Sequence, residues 1–64
     1  MKNNVIPRKA IKIAVTFVRD LMDYPKGHTT VVEKNEWGYW SDGKYRYSVG
    51  HLRDPEICTL KIIA

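Results

Sequence analysis

The sequence predicts an α+β domain in which one N-terminal helix packs on a three- to four-stranded antiparallel β-meander. Three observations favour this fold. Residues 7–24 carry a broad apolar arc at helical spacing, the second half of the chain is rich in β-branched and aromatic residues, and Asp42-Gly43 marks a tight hairpin turn. With 64 residues, the chain is predicted to form one domain, residues 1–64, too small for a large enclosed active site.

The predicted helix runs from Pro7 to about Tyr24. Proline fits the first helical turn, where its missing N–H needs no partner, and Tyr24 precedes Pro25, which disfavours helical geometry in the residue before it. The apolar arc is about 200° wide, more than docking on one sheet requires. Either a curled sheet covers the excess apolar surface, or a second copy of the chain packs on one flank of the helix. The second arrangement would be a homodimer through the helix. The flanking residues are Ile11, Val15 and Met22 on one side and Ile13 on the other.

Basic residues gather on the first two turns of this predicted helix, namely Arg8, Lys9 and Lys12. Cations there oppose the helix dipole at a cost of about 0.3 kcal/mol each. Two interpretations stay open. The residues form a patch for phosphates or for an acidic protein surface, or they form a solvated face that tertiary packing tolerates.

The strands of the meander are predicted to begin with the β-branched segment Thr29–Lys34. Beyond it, the chain either turns at Asn35-Glu36 into a strand over residues 37–40, or continues as one strand with a bulge at Gly38. A turn at residues 41–44 then leads into a strand over residues 45–49.

The last strand is predicted over Ile57–Ile63, after a turn signal at Asp54-Pro55. Alternation places Cys58 on the same face as Leu60 and Ile62, which predicts a small core residue rather than a reactive thiol.

Five of the seven aromatic residues lie on the hairpin of residues 37–49. Strand alternation separates Tyr45 and Tyr47 from Lys44 and Arg46, and it places Trp37 and Tyr39 on one face with Trp40 on the other. One aromatic set is expected to pack on the helix. Exposed rings beside basic side chains are suited to stacking on unpaired bases, whereas buried rings serve the core.

Several function classes are disfavoured. His28, His51 and Cys58 offer the usual nucleophile or base chemistry, but no catalytic motif or paired metal-ligand spacing accompanies them, so we expect no enzyme, no metal and no cofactor. No apolar run is long enough to span a bilayer, and one cysteine without a secretory signal favours the cytoplasm.

The net charge of +4 and the aromatic hairpin favour a small non-enzymatic nucleic-acid-binding module of the bacterial or phage type. The alternative is a protein-interaction module, such as a small phage-encoded modulator or inhibitor of a host enzyme, because Trp, Tyr and Arg also dominate protein-binding hot spots. The expected contact residues are Arg8, Lys9, Lys12, Trp37, Tyr39, Trp40, Lys44, Tyr45, Arg46 and Tyr47.

Overall fold

The structure is a computed structural model that describes residues 3–21 and 23–64. Its elements, in chain order, are β1 (Lys12–Phe17), β2 (Thr29–Lys34), β3 (Trp40–Ser41), β4 (Arg46–Tyr47), α1 (Val49–Arg53) and β5 (Cys58–Ile62). The five strands form one antiparallel sheet in the order β4-β3-β2-β1-β5. The first four strands therefore form a meander, and β5 returns to pair with the free side of β1.

The predicted N-terminal helix on a meander is wrong, because the middle of that segment is β1, a central strand of the sheet. Ile13, Val15 and Phe17 face the core and are at most 2% exposed, while the residues between them are only partly buried. Apolar residues at every second position suit a strand as well as a broad helical arc, and β-branched side chains favour the strand. Met22, also in the predicted helix, lies outside the described residues.

The predicted homodimer through the N-terminal helix is not supported, because Lys12–Phe17 is a strand and not part of a helix. The one helix within the described ranges is α1, which has five residues and lies near the other end of the chain. Of the predicted dimer flanks, Ile13 and Val15 are fully buried in the core of the single chain. None of the helical residues in the described ranges forms a segment long and apolar enough to cross a membrane.

The second strand has the bounds that were predicted for it, Thr29–Lys34. The chain then turns, and the Asn35 side-chain oxygen accepts hydrogen bonds from the N–H groups of Trp37 and Tyr39, both at 2.9 Å. Gly38 adopts a φ of 88°, which a residue with a Cβ rarely adopts. The chain therefore turns after β2 rather than continuing as one bulged strand, but the turn extends beyond Asn35-Glu36, and the strand predicted over residues 37–40 is wrong because β3 is Trp40–Ser41.

One face of the sheet packs into the core, and the other is open to solvent. The core face carries the buried residues of all five strands and is partly covered by α1, whose Leu52 is 1% exposed. Ser48 caps α1 by accepting the N–H of His51, and Cys58 of β5 donates its thiol toward the Leu52 carbonyl. The opposite face, called the open face below, is formed by the alternate strand residues. They are Lys12, Ala14 and Thr16 of β1, Thr29, Val31 and Glu33 of β2, Ser41 of β3, Arg46 of β4, and Thr59 and Lys61 of β5.

Candidate functional site

Two of the predicted contact aromatics are core residues. Trp40 and Tyr47 are cross-strand partners between β3 and β4, and they are 2% and 6% exposed. Tyr47 also lies against Phe17, with ring centroids 6.3 Å apart. These two rings close the core at the β4 edge of the sheet, so they present little surface to a partner.

The carboxylate of Asp42 organises the turn of the hairpin. Its Oδ2 accepts the hydroxyls of Tyr24 and Tyr47, both at 2.7 Å, and that of Thr30 at 3.3 Å. Its Oδ1 accepts the backbone N–H groups of Lys44 and Tyr45 at 2.8 and 2.7 Å. One side chain thus joins the turn to β2, to β4 and to the segment that follows β1.

The electrostatics of this cluster favour a charged carboxylate. Burial by itself would raise the pKa of Asp42, but the hydrogen bonds from the Tyr45 N–H and from the two tyrosine hydroxyls outweigh it and hold the pKa well below its usual range. Burial, together with the hydrogen bond to Asp42, raises the pKa of Tyr47 far above that of a free tyrosine. The cluster is therefore an ionised acceptor surrounded by neutral donors.

A second, exposed carboxylate, that of Asp23, binds two further hairpin residues that were predicted as contacts, Lys44 and Tyr45. Asp23 Oδ2 lies 2.7 Å from the Lys44 Nζ and accepts the hydroxyl of Tyr45. The hydrogen bonds from Lys44 and then Tyr45 lower the pKa of Asp23. Lys44 and Tyr45 thus already have intramolecular partners, which a ligand would have to displace.

The remaining three hairpin residues form what we call the aromatic corner: Trp37, Tyr39 and Arg46. Trp37 is 74% exposed and Tyr39 is 55% exposed. The guanidinium carbon of Arg46 lies 5.6 Å from the centroid of the Tyr39 ring, within the range of a cation–π contact. Beside the corner lies an open groove of about 440 Å³ that Tyr39, Arg46 and the half-exposed Val49 line together with the edges of buried residues.

The three basic residues of the predicted helix do not form a helical patch. Arg8 and Lys9 are exposed in a turn that precedes β1. Lys12 lies on the open face, where its Nζ is 3.5 Å from Glu33. They were predicted to share one face because this segment was assigned the helical period of 3.6 residues, whereas β1 alternates with a period of two.

The open face joins two of the predicted contact residues, Lys12 and Arg46, to three that were not predicted as site candidates, which are Glu33, Ser41 and Lys61. Lys12, Glu33, Ser41 and Arg46 are successive cross-strand partners and form one polar row across β1, β2, β3 and β4. Lys61 of β5 adds a further cation to the open face. Its cross-strand partner is Ala14, which follows Lys12 by two residues on β1. Strand register determines this row, and no local sequence signal indicates which residues will be neighbours in it.

The residues with the usual catalytic chemistry are dispersed. His28 stacks on Tyr24, with ring centroids 4.5 Å apart. Cys58 is buried, and desolvation, with a smaller effect of the Asp54 charge, raises its pKa to about 11, so its thiol stays protonated at neutral pH. Within the described part of the chain, no three His, Cys, Asp or Glu side chains are grouped so as to hold a metal ion.

Comparison of the chain with protein-family models, with curated proteins and with solved structures found no match.

Proposed function

We propose that this chain is a non-enzymatic module that binds single-stranded nucleic acid through the aromatic corner. The observation that carries the proposal is the exposed Tyr39 ring against the guanidinium of Arg46, with the exposed ring of Trp37 two residues earlier in the chain. Unpaired bases stack on such rings whatever their sequence, and a nearby arginine adds cation–π and phosphate contacts.

The charge of the open face supports the same ligand. Its strand residues include three cations, Lys12, Arg46 and Lys61, against one anion, Glu33. The chain as a whole carries a net charge of +4. A phosphate backbone would therefore be attracted to this face, while duplex DNA or RNA should bind more weakly because its bases already stack on one another. We retain the cytoplasm as the expected compartment.

The test is fluorescence anisotropy with labelled 12-nucleotide single strands of DNA and RNA, and with a matched duplex, over a series of salt concentrations. We expect Trp37→Ala and Tyr39→Ala each to weaken single-strand binding at least fivefold, since one stacked base contributes about 1–3 kcal/mol. Arg46→Ala should weaken binding and reduce the slope of log affinity against log salt by about 0.7, which corresponds to one lost phosphate contact on a single strand.

Lys26→Ala is the matched control for Arg46→Ala, because it removes the same charge from an exposed turn before β2, outside the aromatic corner. If both variants weaken binding equally, the interaction is a nonspecific attraction between the net positive charge of the chain and the phosphates. Absence of binding to any oligonucleotide at low salt would overturn the proposal.

A protein partner with an acidic surface is the second candidate, because the groove beside the aromatic corner also presents Val49, which is 47% exposed. Apolar surface next to Trp, Tyr and Arg is typical of protein-binding hot spots. Capture of one stoichiometric partner from nuclease-treated bacterial lysate, lost in the Trp37→Ala variant, would favour this candidate. Capture that disappears on nuclease treatment would favour nucleic acid.

A further inference from the structure

We propose that the open face contains a second phosphate-binding subsite, formed by Lys12 and Lys61, and that the ligand is a single strand long enough to reach it from the aromatic corner. This inference rests on the proposed binding of single strands. It adds the path of the strand across the sheet and the length of ligand that the chain requires.

The two lysines are neighbours on the open face. Lys61 is the cross-strand partner of Ala14, and Lys12 precedes Ala14 by two residues on β1, so the lysines are diagonal cross-strand neighbours about 7–8 Å apart. Strand alternation places both side chains on the same face, where Lys61 is exposed and the side chain of Lys12 is 41% exposed. Two ammonium groups at this spacing suit successive phosphates of one strand.

The subsite lies too far from the aromatic corner for one nucleotide to occupy both. Arg46 and Lys12 are the two ends of the polar row that crosses β4, β3, β2 and β1. Neighbouring strands lie about 4.8 Å apart, so Lys12 is about 14 Å from Arg46 at the backbone, and Lys61 on the next strand is about 20 Å from it. A stacked strand rises about 3.4 Å per nucleotide, so about six nucleotides cover the path.

The surface between the two subsites is low enough for a strand to lie on it. Val31, Ser41 and Gly43 line an open depression of about 430 Å³, which Lys12 borders. Val31 is 41% exposed there and offers apolar contact to a sugar or a base. Asp42 also lines the depression, but its carboxylate already accepts five hydrogen bonds, which partly compensate its charge.

Glu33 is the acidic member of the polar row, and its charge opposes the proposed ligand. Its carboxylate lies 3.5 Å from the Lys12 Nζ, and its side chain is 66% exposed. An exposed ion pair of this kind contributes little to stability, so a phosphate can displace the carboxylate from Lys12. The inference therefore predicts that binding becomes tighter when the charge of Glu33 is removed.

The first test is competition of unlabelled thymidine strands of three, six and twelve nucleotides against a labelled strand of twelve. We expect affinity to rise at least tenfold from three to six nucleotides, because the longer strand engages both subsites at once. Lys61→Ala should bind the three-nucleotide strand as the wild-type chain does. It should bind the longer strands roughly threefold to fivefold more weakly, with the slope of log affinity against log salt reduced by about 0.7 for one lost phosphate contact.

Lys9→Ala is the matched control, because it removes the same charge from an exposed turn outside the open face. It should weaken binding of every strand less than about twofold, since screening limits the effect of a charge that does not contact the ligand. Equal losses in Lys61→Ala and Lys9→Ala would overturn the second subsite and leave binding at the aromatic corner intact.

The second test has the opposite sign. Glu33→Gln should tighten binding of the twelve-nucleotide strand roughly twofold to fivefold, because it frees Lys12 and removes an anion from the path. Glu56→Gln, the same substitution at an exposed position outside the open face, should change affinity less than about twofold. Unchanged or weaker binding by Glu33→Gln would overturn the path across the open face. If no strand of any length binds the wild-type chain, both proposals are overturned.

Discussion

The two ends of the aromatic hairpin use the same residue types in opposite ways. At the turn, the hydroxyls of Tyr45 and Tyr47 donate to Asp23 and Asp42, and Lys44 pairs with Asp23. At the other end, Tyr39 is half-exposed with its ring against Arg46, and the Trp37 ring is mostly in solvent. A tyrosine is thus structural where a carboxylate accepts its hydroxyl, and available for binding where its ring is exposed.

This contrast also explains why the number of aromatic residues is a poor guide to binding capacity here. Five rings lie on the hairpin, but the core covers Trp40 and Tyr47, and a hydrogen bond ties Tyr45 to Asp23. Only Trp37 and Tyr39 remain for a ligand. The turn end therefore stabilises the fold, and the aromatic corner is the end on which the proposed function depends.

The largest expected effect is at the turn end. Asp42→Asn should lower the free energy of unfolding by about 2–3 kcal/mol, because an amide has one acceptor oxygen for five donors and places its own NH₂ against some of them. Urea unfolding followed by circular dichroism measures the loss. Glu56→Gln is the control and should change stability by less than about 0.5 kcal/mol. Equal stability of both variants would show that the cluster does not support the fold.

A smaller effect compares one tyrosine from each end. Tyr47→Phe removes a hydroxyl that donates to Asp42 and should cost about 1 kcal/mol of unfolding free energy. Tyr39→Phe removes an exposed hydroxyl and should cost less than about 0.5 kcal/mol, while the stacking ring is kept. The same urea assay, with oligonucleotide anisotropy beside it, measures both properties. A larger loss of stability in Tyr39→Phe would reverse the assignment of the two ends.

The smallest expected signal is in the pH dependence of stability. The pKa of Asp42 is lower in the folded chain than in the unfolded chain, where it is about 3.9. Its charge therefore stabilises the fold fully above about pH 4, and this contribution is lost as the pH falls toward the folded-state pKa. Unfolding free energy measured from pH 6 to pH 2 should fall more steeply for the wild-type chain than for Asp42→Asn. Parallel curves would contradict the role of Asp42 as an ionised acceptor.

Much of the second half of the chain could be predicted because its signals are local. The strand Thr29–Lys34 follows from β-branched composition, and the turn at residues 41–44 follows from Asp42-Gly43, where Gly43 has a φ of 92°. Helix α1 was missed although Ser48 is a suitable N-cap, because a five-residue helix has too little periodicity to detect.

The first half was assigned wrongly because its apolar pattern fits two periods. Residues 11–18 satisfy a wide helical arc and also alternate with period two, and the choice depends on partners far along the chain. Phe17 pairs with Cys58, and Val15 pairs with Thr30 and Leu60, so β1 exists because β2 and β5 lie on both sides of it. The excess width of the apolar arc was the sign that a helix did not suit this segment.

The candidate site was only partly predictable for the same reason. The sequence indicated the aromatic hairpin and named Trp37, Tyr39 and Arg46 within a larger set. It did not separate them from Trp40 and Tyr47, because that distinction depends on which face meets the core. Nor did it place Glu33 between Lys12 and Ser41, since that arrangement comes from the register of β2 with its two neighbouring strands.

Taken alone, the amino-acid sequence determined the features that a few neighbouring residues control: the strand β2, the Asp42-Gly43 turn, the alternation of the last strand and the positive net charge. Tertiary structure alone decided that residues 12–17 form a central strand, that two of five hairpin rings are buried, and that the Lys12–Glu33 pair shares the open face with Arg46. The physical reason is that burial and strand register arise from contacts between distant segments, whose free energy exceeds the local preferences of either one.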